Sequence, residues 1–183
     1  MIEEIYSRRS IRRYNSQQVD SDKILHILDC ARVAPSSHNT QPWHFIIVTN
    51  EETKEKLADV SHKQEWMKAA PVYIVCVADI RSRVDINIAL DEETPNNDLK
   101  KIILDTAISI QNMVLEAESI GLSTCWVAWF NQKDIRPILD IPEDKYIVAI
   151  ITLGYSDHKP NARPRKKLEE IISYEKWTDA PNK

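Results

Sequence analysis

The sequence predicts an α+β fold. Four β-rich runs, His44 to Thr49, Val72 to Ala78, Thr124 to Trp129 and Tyr146 to Leu153, are separated by helical patterns of very unequal length. That spacing differs from the regular alternation of strand and helix that builds a parallel sheet. One helical pattern is apolar on nearly every face, so it needs cover all round. The 183 residues fit one domain spanning 1–183, large enough to bury roughly 70% of its unfolded surface.

Taken in order, Ser21 to Ala34 carries Ile24, Ile27, Leu28 and Ala31 at helical spacing, with Asp20 or Ser21 as N-cap and Pro35 as the stop. HFIIVT at His44 to Thr49 is β-branched and aromatic and reads as a strand, after which Asn50 caps a helix beginning EETKEKLADV. VYIVCVA, from Val72, starts just after Pro71, where a missing amide donor is tolerated. The polar stretch from Arg81 to Asn97, including DEETPNND, has no period and reads as a variable loop or lid. Leu99 to Ile120 is the longest helix. Since it shows no polar face, it is expected to pack against a second copy of the chain, which predicts a homodimer. Gly121 stands where a left-handed helix cap belongs, before the strand TCWVAW. Asn131 and Asp134 resemble a capping pair for a short helix that Pro137 should bend or end. YIVAIITL closes at Gly154, and LEEIIS from Leu168 gives a last helical turn or two.

Composition narrows the function. A net charge of −4 with both signs interspersed argues against a nucleic-acid surface and a basic membrane face. No apolar run approaches a membrane span, and MIEEIYSRRS has no apolar core of a signal peptide, so a cytoplasmic protein is expected. Cys30, Cys76 and Cys125 are odd in number and widely separated, which reads as three buried thiols rather than disulfides. The histidines show no metal-ligand spacing, and no metal is expected. Trp43, entering a strand, reads as core.

Only Gly121 and Gly154 occur. Glycine-lined phosphate loops need several close glycines, so any phosphate here must be held by side chains. Arg8, Arg9, Arg12 and Arg13 crowd around Ser10 and Ile11, and Arg8 and Arg12 would share one side if the turn were helical. Arg163-Pro164-Arg165-Lys166-Lys167 repeats the chemistry near the other end, with the proline holding the segment extended. In APSSHNTQPWHF, Ser36, Ser37, Asn39 and Gln41 can match the polar edge of a planar heterocycle, or simply form a turn. No glycine-flanked serine or usable triad supports hydrolysis.

RRSIRRY at Arg8 to Tyr14, APSSHNTQPWHF at Ala34 to Phe45, DTAISIQNMVLEAESIGL from Asp105, and GLSTCWVAWF from Gly121 followed by RPRKKLEE from Arg163 together resemble the FMN-dependent nitroreductases, nearly end to end. The resemblance implies a mostly antiparallel central sheet flanked by helices in an intertwined homodimer. It implies FMN held by Arg8, Arg9, Ser10 and Arg12, by Arg163 and Arg165 near the phosphate, and by Trp126, Val127, Ala128 and Trp129 beside the reactive ring. Pro35, Ser36, Ser37 and Asn39 match the loop that the partner subunit contributes. Arg12 matches a position from which a guanidinium would stabilise the negative charge of the reduced ring. NADH or NADPH would donate, and a small electron-poor acceptor such as a nitroarene or quinone would receive.

Two departures from the family pattern stand out. Many members have glycine where this chain has Trp129, and many carry an asparagine and a lysine where it has His62-Lys63-Gln64-Glu65. Trp129 leaves open a specialised flavin enzyme, such as a dehalogenase or a flavin-consuming enzyme; the alternative of a different class is a flavin-binding or anion-binding protein without turnover, with the acidic stretch from Asp91 to Asp98 as its interaction surface.

Overall fold

A computed structural model describes residues 2–85, 88–94 and 96–177. The four expected strands form one antiparallel sheet in the order β1-β2-β4-β3, with β1 Trp43–Val48, β2 Val72–Asp79, β3 Ser123–Val127 and β4 Lys145–Gly154. The helices are α1 Glu4–Ser7, α2 Ser21–Arg32, α3 Glu51–Val60, α4 Asn97–Ser119 and α5 Gln132–Leu139. This is the α+β architecture that the sequence predicts.

The two central strands are apolar on both faces because both faces are covered. Ile74, Cys76 and Ala78 of β2 join Ala149, Ile151 and Leu153 of β4 beneath α2 and α4, while Tyr73, Val75 and Val77 face the opposite way with Ile147 and Ile150. A bulge between Cys76 and Val77 shifts the β2–β4 register by one residue, so that Cys76 pairs with Ala149 and Val77 with Ile147. Ile147 lies beyond the end of β3. Its amide donates to the Gln132 side-chain oxygen at 2.8 Å and its carbonyl accepts from Gln132 Nε2 at 2.8 Å. The buried Gln132 thus extends the sheet edge with a side chain and fixes where the chain leaves β3.

Local signals set the ends. Asn50 Oδ1 accepts from the Thr53 amide at 3.0 Å at the start of α3, and Asn96 Oδ1 accepts from the Asp98 and Leu99 amides at the start of α4. Gly121 adopts φ 78° after α4, as a helix cap requires. A Cβ on Gly154 would lie 2.6 Å from Pro71 and 2.9 Å from Tyr14, so the N-terminal segment packs directly on the end of β4.

Several expectations are corrected. Residues 8–13 are extended, since α1 ends at Ser7, so Arg8 and Arg12 do not share a helical face. Within one chain α4 is not buried all round: Leu104 is 64% and Ile108 44% exposed. Trp43 is only half-buried, against Leu25, Leu28 and Phe45. Cys76 and Cys125 are buried but Cys30 is partly open to solvent. Pro137 sits inside α5, which continues to Leu139, and LEEIIS forms only a 3₁₀ turn at Leu168–Glu170. The expected lid is partly fastened down, because Leu90 is buried with its amide donating to the Glu143 carbonyl at 2.8 Å; residues 86, 87 and 95 of that stretch lie outside the described residues. No helix among the described residues is long and apolar enough to cross a membrane.

Candidate functional site

The N-terminal arginines lie on a strap laid along the free edge of β3. Ser10 forms a parallel bridge with Thr124, and the Ile11 amide donates to the Thr124 carbonyl at 2.9 Å. Ile11 is buried, which pins the strap from below, and the Tyr14 hydroxyl donates to the Ile11 carbonyl at 2.9 Å. Arg8, Ser10 and Arg12 alternate along the strap, and all three act on the Cys125 thiol. Burial pushes that thiol up, against the opposing pull of Arg12, the Ser10 hydrogen bond and Arg8. The Arg12 guanidinium also stands 5.4 Å from the Trp66 ring centre.

Among the described residues, the arginines that find carboxylates are Arg32, Arg81 and Arg83. Arg8 and Arg12 have none.

Beyond β3 the chain turns through Ala128 and Trp129 toward α5. Trp126 is 39% and Trp129 65% exposed, whereas Val127 is buried. The Trp129 ring stacks on His62 with centroids 4.0 Å apart, and the pair lines a groove with Asp59, Lys63, Asn131 and Asp134. His62 and Lys63 both have positive φ, at 57° and 54°, a conformation that disfavours most side chains.

The polar loop after α2 is held in an equally unusual shape, with φ of 55° at His38, 56° at Asn39 and 48° at Gln41. Ser36 Oγ accepts from the Gln41 amide at 2.9 Å, and the Ser37 amide donates to the buried Asp105 carboxylate on α4 at 3.1 Å. These bonds leave Pro35 and Asn39 exposed at the surface.

Strap and loop are attached to different points of α4, the loop to Asp105 in its first half and the strap near its C-terminal end. At the far end, Glu118 Oε1 accepts from Ser7 Oγ at 2.8 Å and from Lys159 Nζ at 3.1 Å. Asp105 and Glu118 are separated by about 20 Å of helix at the standard rise.

A family model described as the Nitroreductase family matches residues 5–155. The chain belongs to the nitroreductase family. A relative from Methanothermobacter thermautotrophicus, provisionally named NADH dehydrogenase/NAD(P)H nitroreductase, is 34% identical over 97% of this chain and 87% of its own length. The FMN reductase [NAD(P)H] of Bacillus subtilis is 25% identical over 97% of this chain and 74% of its own. Among solved structures, an FMN-dependent nitroreductase of Clostridium difficile superposes with a TM-score of 0.79 at 29% identity, covering 97% of this chain and all of that one.

In this family member the strap brings Arg8, Ser10 and Arg12 together, while Arg9 is turned away. Its Nη1 donates to the Tyr6, Ser7 and Arg8 carbonyls and so caps α1. Arg163 and Arg165 lie on an exposed segment that begins near Lys159, and no hydrogen bond or ion pair among the described residues joins them to the strap. Sequence reasoning missed Asp105, Glu118, Trp66 and His62. The first two look like ordinary polar positions of a helix, and only their distant partners give them away.

Proposed function

We propose that the protein is a homodimeric, FMN-dependent oxidoreductase that takes reducing equivalents from NAD(P)H and passes them to a small electron-poor acceptor such as a nitroarene or quinone. The observation that carries this reading is the strap: two guanidinium groups without carboxylate partners, with a hydroxyl between them, on the edge of β3. That donor set fits a phosphorylated, partly anionic cofactor such as FMN. Family membership and the flavin and NAD(P)H names of the relatives support it.

Bound FMN supplies the hydride chemistry, and the chain supplies placement and charge. Arg8 and Ser10 are assigned to the cofactor's anionic tail. Arg12, steadied over Trp66, is assigned to offset negative charge near the ring, with Trp126 to Trp129 passing beside it. Arg163 and Arg165 are assigned to the phosphate, reaching it in the assembled dimer. Arg9 assists by shaping the strap rather than by direct contact.

The exposed apolar stripe of α4 supports the dimer. Packing the exposed Leu104 and Ile108 stripes of two copies against each other would bury this apolar surface between them. By the family resemblance, the partner's Pro35, Ser36, Ser37 and Asn39 face this chain's strap, giving two composite sites. A purified yellow protein whose visible band bleaches anaerobically on addition of NAD(P)H supports the proposal. A protein that neither retains nor takes up FMN overturns it, and bound FMN that NAD(P)H cannot bleach indicates binding without turnover.

A further inference from the structure

Away from strap and loop, three metal-binding side chains meet on the seam between α2 and α4. His26 and Cys30 stand four residues apart and so share one face of α2, and Glu116 reaches them from α4. Their ligand atoms all lie within 4.8 Å of one another, with His26 Nε2 2.6 Å from Glu116 Oε1. We propose that His26, Cys30 and Glu116 form a three-ligand site for a zinc-class divalent cation.

The donor set selects the ion. A nitrogen, a sulfur and a carboxylate oxygen suit zinc, whereas magnesium and calcium require oxygen ligands. Thiolate and carboxylate together balance a divalent charge, with the thiol proton released to solvent as the metal binds. Tetrahedral zinc, with bonds of about 2.0–2.3 Å, needs ligand atoms about 3.3–3.7 Å apart. To reach that spacing the widest separation, at most 4.8 Å, closes by about 1 Å and the 2.6 Å His26–Glu116 hydrogen bond opens by about 1 Å.

The backbone beneath is already fixed. Ser109 Oγ donates to the Ala31 carbonyl at 2.9 Å, and Asn112 Nδ2 to the Cys30 carbonyl at 3.4 Å. These bonds hold α2 against α4 beside the ligands. The His26 side chain is 54% exposed, which leaves a path for the ion and room for water as a fourth ligand. Sequence spacing could not show the site, because Glu116 lies 90 residues from His26.

The test is thiol labelling of the full-length, FMN-loaded protein after treatment with a chelator, read by mass spectrometry at Cys30 with and without added Zn²⁺. Stoichiometric zinc is expected to slow Cys30 labelling at least tenfold, a chelator to restore it, and about one zinc per chain to survive gel filtration. In His26→Ala and Glu116→Gln, with folding checked by circular dichroism, protection should fall at least tenfold. Labelling that zinc does not slow overturns the proposal in the unaltered protein, and protection that persists in both variants overturns the three-ligand assignment.

Discussion

The Ser37 amide donates to the Asp105 carboxylate at 3.1 Å, so a buried acid on α4 holds the polar loop in its left-handed shape. Asp105→Ala should weaken FMN binding about tenfold, or about 1.4 kcal/mol, while leaving the secondary structure intact. Asp105→Asn keeps an acceptor and should recover most of that loss. Fluorescence titration with FMN checks both, and an Asp105→Ala protein with unaltered affinity would remove the loop from the site.

Leu104 and Ile108 form the exposed apolar stripe of α4. Replacing both with Glu should give monomers in sedimentation velocity and abolish FMN retention, because each composite site loses its partner loop. A monomer that still holds FMN at wild-type strength would contradict the shared-site geometry.

Trp129 stacks on His62 and stands over the groove beside the end of β3. Trp129→Gly should enlarge the acceptor space and change the ratio of kcat/KM between a bulky quinone and a small nitroarene at least fivefold. FMN affinity should change much less. Equal ratios in the two proteins would place this ring outside the acceptor path.

Burial raises the pKa of Cys76, Tyr14 and Tyr73 above their ordinary values. The folded chain then keeps these protons longer than the unfolded one. Their contribution to stability is complete below the unfolded values, about 8.5 for a thiol and about 10 for a phenol, and is lost as pH rises beyond them. Urea midpoints should therefore fall from pH 8 to pH 10, and the fall should be shallower in Cys76→Ala.

Much of this fold is legible in the sequence because its signals are local. Each β-branched run became a strand to within about two residues at either end, and Asn50 and Gly121 mark helix ends by their own chemistry. The strap is different. Its six residues read as easily as a helical turn, and only pairing with Thr124, far along the chain, extends them. Asp105 and Glu118 were hidden for the same reason, since their partners lie 68 and 111 residues away. Cys30, expected to be buried, is only partly so, because α2 places it at the edge of the seam with Glu116 of α4.

The most direct measurement is the FMN dissociation constant of Arg8→Ala/Arg12→Ala beside that of the unaltered protein, with dimer mass recorded on the same samples. Two lost charge-assisted bonds, at about 1.5–3 kcal/mol each, should weaken binding at least about hundredfold while the dimer persists. An unchanged dissociation constant would contradict the assignment of the cofactor's anionic tail to this strap.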